Sequence, residues 1–166
     1  MTDAATPQGD IVIRRATRAD TRELGQLGAM LLRTHYAFDQ QRFMSPGDAP
    51  EAGYGRFLSS QVGDDESAVF VADRGGEVLG YVYVSLEPQS WKELREAAGF
   101  IHDVGVVEHA RRLGVAKALV DAAIAWLREQ GAPRVLLWSA APNEAAQRLF
   151  ESLGFRRTMV EMTREL

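Results

Sequence analysis

The feature that most constrains this chain is an apolar stripe in its C-terminal half. Ala116, Leu119, Val120, Ala123 and Leu127 recur at intervals of three and four across Arg111 to Gln130, and Gly131 and Pro133 follow. That period predicts an amphipathic helix with one buried face and a glycine-and-proline stop. On either side stand short apolar runs, Ile101 to Val107 and Arg134 to Ser139, which read as strands. Strand, helix, strand implies a sheet sheltered by a helix, the grammar of an α/β fold.

The remaining chain extends the pattern. Ile11 to Arg15 reads as a first strand, and Thr17 with Asp20 three positions later has the form of a helix capping box. Leu24, Leu27, Leu31 and Leu32 give the next helix its apolar stripe, while Gly25 and Gly28 lower its intrinsic stability. From Phe38 to Pro50 the pattern breaks at Ser45, Pro46, Gly47 and Pro50, and a short helix through Phe57 and Leu58 follows. Ser67 to Ala72 and Val78 to Leu86 read as a hairpin joined by Asp73 to Gly76. Strict alternation puts Val78, Gly80, Val82 and Val84 on one face and Leu79, Tyr81, Tyr83 and Ser85 on the other. Asn143 to Leu153 predicts a further helix and Phe155 to Thr163 a final strand.

Length and composition narrow the class. The 166 residues are enough for one cored domain, expected over 11–166 behind a flexible lead of residues 1–10. With 19 basic and 23 acidic residues, a net charge of -4 and no concentrated basic tract, nucleic-acid binding is not expected. The absence of cysteine excludes disulfides, thiolate metal sites and a cysteine acyl intermediate. Three dispersed histidines give no matched ligand shell, so no metal is expected. The polar first ten residues and the lack of a long apolar run predict no membrane span and a cytoplasmic setting.

One junction carries chemistry. Between the strand ending near Val107 and the long helix lies Arg111-Arg112-Leu113-Gly114-Val115-Ala116. Unpaired amides in a first helical turn can donate to anionic oxygens, and Gly114 lets a ligand come close to the backbone. Arg111, Arg112 and Lys117 add positive charge. Read alone, the turn is a weak signal and fits an ordinary helix entry better than a phosphate site. It matches neither the GxxxxGKS phosphate loop nor the GxGxxG dinucleotide turn.

With its surroundings the turn resembles the GNAT family of N-acetyltransferases. Their signature of arginine or glutamine, two residues, glycine, one residue, then glycine or alanine is met by Arg111, Gly114 and Ala116. The strand Ile101 to Val106 precedes it, and Asn143, Ala146, Leu149-Phe150 and Gly154-Phe155 follow in order. The resemblance implies a mixed, mainly antiparallel sheet with splayed central strands, and acetyl-coenzyme A as acyl donor. It implies that amides of Arg112, Leu113, Gly114, Val115, Ala116 and Lys117 hold the cofactor diphosphate. Backbone groups of Val104, Gly105 and Val106 would hold pantetheine. Asn143 would contact cofactor or an ordered water, with helix capping as the alternative.

The family joins donor and amine in a ternary complex, where the unprotonated amine attacks the thioester directly. His102 matches the neighbourhood of a glutamate base in polyamine acetyltransferases, and Asp103 is the second candidate; on a regular strand the two face opposite sides. Phe150 stands where many members carry the tyrosine proposed to protonate the leaving thiolate, and phenylalanine cannot do so. Tyr81, Tyr83 and Tyr36 are possible substitutes. His35, Tyr36 and Tyr83 are expected near the acceptor, with Glu51 and Tyr54 also possible borders of that site. The acceptor is expected to be a primary amine of a small molecule or peptide. A non-catalytic acyl-coenzyme A sensor is the alternative function, and a homodimer the expected assembly.

Overall fold

The computed structural model describes residues 9–166, so the expected lead of residues 1–10 falls largely outside the described residues. One five-stranded sheet runs in the order β1-β2-β3-β4-β5, formed by Val12–Arg15, Ser67–Arg74, Glu77–Glu87, Ala98–Val106 and Val135–Leu137. The first four strands are antiparallel neighbours, and β5 lies parallel to β4. Helices α1 (Thr21–Phe38) and α2 (Pro50–Gln61) cover one face, and α3 (Val115–Glu129) covers the other. Helix α4 (Glu144–Ser152) follows β5. The parallel β4–β5 pairing requires a crossover, and α3 supplies it.

Two cores flank the sheet. Leu79, Val82, Val84 and Ile101 meet the α3 stripe of Leu119, Val120, Ala123 and Leu127, all essentially inaccessible to solvent. On the opposite face Val69, Val71, Tyr81 and Tyr83 pack against Leu24, Leu27 and Leu58. Each fully buried aliphatic side chain contributes roughly 1.5–3 kcal/mol, so the α3 stripe alone outweighs the helix-propensity terms around it.

Gly25 and Gly28 make the close packing of α1 on α2 possible. A Cβ on Gly25 would stand 2.4 Å from the carbonyl oxygen of Glu51, and one on Gly28 would stand 2.1 Å from the Tyr54 ring. The glycines that weaken α1 as an isolated helix therefore let α2 seat against it. The capping box is present, with Ala19 N–H donating to Thr17 Oγ1 and Thr17 N–H to Asp20. It caps a single 3₁₀ turn, Arg18–Asp20, that runs directly into α1. Arg14 joins Asp20 at 2.8 Å and Asp73 at 2.9 Å, tying β1 to the α1 entry and to β2.

Several expectations are corrected. Pro50 opens α2 rather than closing a loop, since the missing proline N–H costs nothing in a first helical turn. Strict alternation along β3 fails at Leu79. Ala72 pairs with Gly80 and Asp73 with Val78, leaving Leu79 as an extra residue. This bulge shifts the parity of the faces, so Leu79 joins the α3 core while Val78 packs on the tyrosine side. The expected final strand over Phe155 to Thr163 is absent: Phe155 packs on the α3 core, but residues 156–166 are exposed and form no regular element. A strand needs a ladder partner, and no described segment of the chain supplies one.

Candidate active site

The entry to α3 carries two residues with left-handed backbone. A 3₁₀ turn over Glu108–Ala110 leads into Arg111, then Arg112 at φ 63° and Gly114 at φ 77°, which is the N-cap of α3. A Cβ at Gly114 would meet nothing within 4 Å, so the backbone angle, rather than crowding inside the protein, calls for glycine. No side chain caps this helix, and its first turn contains no acidic residue. The first internal bond is donated by Ala118 N–H to the Gly114 carbonyl, which leaves the Val115, Ala116 and Lys117 amides without helical acceptors. Arg111, Arg112, Leu113 and Gly114 are exposed around them, while Lys117 pairs with Asp121 at 2.6 Å. An uncapped, cation-rimmed positive helix end of this kind suits a diphosphate.

Beside it the sheet opens. The β4–β5 ladder comprises only Gly99 with Val135, Phe100 with Leu136 and Ile101 with Leu137. Beyond Ile101, β4 continues to Val106 on its β3 side alone, so Val104, Gly105 and Val106 have no strand on the β5 side. Two residues past the end of β5, the Ser139 hydroxyl is buried without a hydrogen-bond partner. A slot edged by free strand backbone and an orphaned hydroxyl fits an extended amide-bearing chain such as pantetheine.

The sheet face beneath α1 and α2 gathers the titratable groups. Tyr83 pairs with Asp103 and Val84 with Ile101, so His102 is the extra residue of a second bulge. That bulge overturns the expectation that His102 and Asp103 must face apart. His102 lies between the rings of Tyr83 and Phe100, with both centroids 4.8 Å away. Asp103 accepts hydrogen bonds from Tyr54 at 2.7 Å and Tyr81 at 3.0 Å on the same side of the sheet. A β-bulge re-aims side chains in this way next to functional sites.

Their environments set their charges. Burial pushes His102 below the ordinary histidine value, while the nearby Glu87 and Asp103 carboxylates pull it back upward. The net direction keeps the imidazole neutral at pH 7. Burial also raises the Asp103 carboxyl, opposed by the two tyrosine donors. Tyr54 and Tyr81 are both pushed upward, first by burial and then by the Asp103 charge, so they hold their protons.

A polar relay fixes the imidazole. Ser85 Oγ lies 2.7 Å from His102 Nε2 and 2.7 Å from Glu87 Oε1. The hydroxyl has one proton, and the Glu87 carboxylate can only accept. Ser85 therefore donates to Glu87, and Nε2–H donates to Ser85. That tautomer puts the free lone pair on Nδ1, which has no hydrogen-bond partner among the described residues.

Other candidates separate. Tyr83 stacks on His102 and donates to Gln61 at 3.1 Å, within this cluster. His35 instead bonds the Leu31 carbonyl at 2.9 Å and packs between Phe38 and Phe43 at the end of α1. Tyr36 is half-buried on the same helix end and shares no side-chain hydrogen bond with the cluster. Glu51 pairs with Arg33 at the surface. Asn143 takes its capping alternative, accepting from Ala146 N–H at 3.2 Å. Phe150 packs against Phe155 on the α3 core.

Sequence reasoning passed over Ser85, Glu87, Phe57, Phe100 and Trp138. Alternation along β3 puts residues 81, 83, 85 and 87 in one line and could have found Ser85 and Glu87. Phe57, Phe100 and Trp138 come from three separate elements, and only the fold joins them. Their rings extend the stack from Phe57 through Tyr83, His102 and Phe100 to Trp138, with successive centroids 4.8 to 5.6 Å apart.

Comparison with known proteins bears on the fold and the family. The chain is 37% identical over 94 residues to the mycothiol acetyltransferase of Paenarthrobacter aurescens, covering 57% of this chain and 28% of that protein. It spans about three-tenths of the length of the curated relatives it matches. Among solved structures, a mutant Bacillus halodurans protein superposes with TM-score 0.79 at 23% identity, covering 93% of this chain and 99% of the other. An aminoglycoside N-acetyltransferase, AAC(6')-Iy, in complex with CoA gives TM-score 0.76 at 20% identity, covering 98% and 99%. At these identities the two structures establish a shared fold. The model of the acetyltransferase (GNAT) family matches residues 32–155, and the chain belongs to that family, whose acyl donor is acetyl-coenzyme A.

Proposed function

We propose that this chain transfers an acetyl group from acetyl-coenzyme A to a primary amine by direct attack in a ternary complex. The observation that carries the reading is the uncapped, left-handed entry to α3 beside the opened β4–β5 edge. The amides of residues 112–117 receive the diphosphate, and Val104 to Val106 bind pantetheine and orient the thioester carbonyl. Asn143, already engaged as a helix cap, reaches the cofactor only through its remaining amide atoms.

His102 is the proposed base. A typical alkyl ammonium titrates at about 10.4 and lacks an attacking lone pair until it loses a proton. His102 Nδ1 takes that proton, directly or through one water. The amine nitrogen forms its bond to the thioester carbon, the carbon–sulfur bond breaks, and coenzyme A leaves as thiolate. Backbone amides stabilise the developing oxyanion, and no protein nucleophile is needed. Asp103, held by Tyr54 and Tyr81, places a negative charge that favours the protonated form of the base. Phe150 supplies no proton, so the thiolate leaves unassisted or is protonated by water.

The acceptor is proposed to be a small molecule or peptide carrying an apolar or aromatic group beside its amine. Phe57 and Trp138 end the ring stack at 45% and 71% exposure, and flat apolar groups dock on such rings. Relatives and neighbours named for mycothiol and aminoglycosides support a small-molecule acceptor. His35 and Tyr36 belong to the far rim of this site at most. We read residues 11–166 as one acetyltransferase domain acting in the cytoplasm as a homodimer; no described helix is long and apolar enough to cross a membrane.

The test is thiol release from acetyl-coenzyme A with mass analysis of the amine, across arylalkylamines, peptides with aromatic N-termini, polyamines and aminoglycosides. Turnover with the aromatic amines is expected. Cofactor binding without transfer to any amine would instead favour an acyl-coenzyme A sensor, the reading that Phe150 motivates.

A further inference from the structure

Among the described residues, one buried side-chain polar atom has no hydrogen-bond partner: Ser139 Oγ. A buried hydroxyl in that state costs free energy on folding, and a native protein keeps such a group where a ligand atom or a chemical role completes it. The parallel register sets Leu137 opposite Ile101, and beyond that pair the ladder stops. Two residues on, about 6.6 Å by the rise of a strand, Ser139 stands level with Asp103 and Val104 across the gap. This is the thioester end of the proposed slot; the diphosphate turn lies beyond Val106, at the other end.

Period-two alternation fixes the side from which the hydroxyl approaches. Val135 and Leu137 pack on the α3 core, and Ser139 follows them in parity. Trp138 turns the other way, edge-on to Phe100 at 5.3 Å. The hydroxyl therefore faces the slot from the side of α3 and α4, opposite the side that presents His102. Phe150 packs on this same side and has no donor to offer. The backbone that carries Ser139 is braced by α4: Gln147 Nε2 donates to the Ala140 carbonyl at 2.8 Å and to the Ala141 carbonyl at 3.0 Å. Asn143 N–H donates to the Ala140 carbonyl at 2.9 Å. A short side chain on a braced backbone holds its geometry well.

We propose that Ser139 is a catalytic residue whose hydroxyl donates a hydrogen bond to the thioester sulfur and stabilises the thiolate as it leaves. The inference rests on the acetyl transfer proposed above. As the amine nitrogen bonds to the carbonyl carbon, the carbon–sulfur bond breaks and its electron pair stays on sulfur, while the amine proton goes to His102. Ser139 keeps its own proton, because a hydroxyl is a far weaker acid than a thiol, and the departed thiolate takes a proton from water. An alkyl thiol titrates at about 8.5, so near neutral pH a hydrogen bond is sufficient help for its departure. A donor fixed in a water-excluded site, aimed where charge develops, acts without reorganising during the reaction. Base and sulfur donor then flank the reacting carbon from opposite faces of the sheet.

Because the chain has no cysteine, the thiol of bound coenzyme A can be titrated by its thiolate absorbance without background. Ser139→Ala is expected to make that thiol a weaker acid by about tenfold than in the wild-type complex, through loss of one hydrogen bond to a charged group. In single-turnover transfer to the best amine of the acceptor panel, it should slow the chemical step by about ten- to a hundredfold while acetyl-coenzyme A affinity changes by less than about threefold. Ser139→Thr keeps the hydroxyl and should restore both the titration and the rate. The alanine variant should unfold at no lower temperature than the wild type, since it deletes an unpaired buried polar atom; a serine kept for structure would give the opposite. An unchanged thiol titration would overturn the proposal. So would a loss of affinity with the chemical rate intact, or an alanine variant whose slower rate accompanies a loss of stability. If coenzyme A binds but no amine is acetylated, the acetyl-transfer reading fails, and the thiol titration alone decides on Ser139.

Discussion

Replacing Gly25 with alanine tests whether the α1–α2 seam positions the candidate site. The added Cβ would stand 2.4 Å from the Glu51 carbonyl oxygen, 3.2 Å from its carbon and 3.3 Å from the Gly55 Cα, all backbone atoms. Ordinary contact begins near 3.4 Å, so the helices must part by about 1 Å. Overpacking costs roughly 1–3 kcal/mol, and the upper half applies because helix backbone cannot rotate away. Alanine returns about 1 kcal/mol of helix propensity. The net expectation is a loss of about 1–2 kcal/mol, or a Tm lower by about 2–8 °C for a chain of this size. The same shift carries Tyr54 away from Asp103, now bonded at 2.7 Å, and lowers kcat/KM by roughly ten- to a hundredfold. Gly53→Ala is the control, since a Cβ there meets nothing within 4 Å in the same helix pair. It should stabilise by about 0.5–1 kcal/mol with activity unchanged. Urea unfolding and steady-state kinetics of both variants decide. A Gly25→Ala protein that is as stabilised as Gly53→Ala and fully active would refute the seam.

Further expectations follow from the charges. His102 is held below its ordinary value of 6.5, so its neutral form persists as pH falls through 6.5 and is lost only through the lower folded value. The acid limb of kcat/KM should therefore lie below pH 6.5, and His102→Gln should abolish that limb and slow the chemical step more than it weakens cofactor binding; an unchanged profile would reject this base. Glu87→Gln removes a charge that raises His102, so the acid limb should move further down; an upward movement would contradict the relay. Asp20 is held below 3.8 chiefly by Arg14, so its stabilisation is complete above 3.8 and is lost as pH falls through the folded value. Asp20→Asn should cost about 1–2 kcal/mol at pH 7 and show less stability loss on acidification; a wild-type-like acid curve would contradict the pairing. Phe150→Tyr adds a hydroxyl beside Phe155, and single-turnover rates should rise only if thiolate protonation limits the reaction.

Periodic apolar spacing made the α3 unit and the hairpin legible from residues alone, because burial of one face leaves a direct imprint on the sequence. The turn from Arg111 to Ala116 was legible for another reason: the order of motifs around it is specific. Parity was not legible. The bulges at Leu79 and His102 each insert one residue, and their position depends on cross-strand packing that alternation cannot register. They moved Leu79 to the α3 core and brought His102 and Asp103 to one face. Loop-like spacing before Pro50 concealed a helix start, while the glycines of α1 looked like defects because their neighbour, α2, lies 26 or more residues away in sequence. The segment after Phe155 has strand composition but no ladder partner among the described residues, and composition alone cannot register whether a partner strand is present.

The claim that the α3 entry holds acetyl-coenzyme A by its diphosphate is tested most directly by calorimetric titration. Acetyl-coenzyme A and acetyl-pantetheine, which lacks the diphosphate, are compared on the wild-type chain and on Gly114→Val. The φ of 77° at Gly114 disfavours a β-branched residue and should distort the turn. The account predicts that acetyl-coenzyme A binds the wild type at least about a hundredfold more tightly than acetyl-pantetheine, roughly 2.7 kcal/mol, and that Gly114→Val erases most of this difference. Equal affinity for the two donors on the wild type, or an undiminished preference in Gly114→Val, would contradict it.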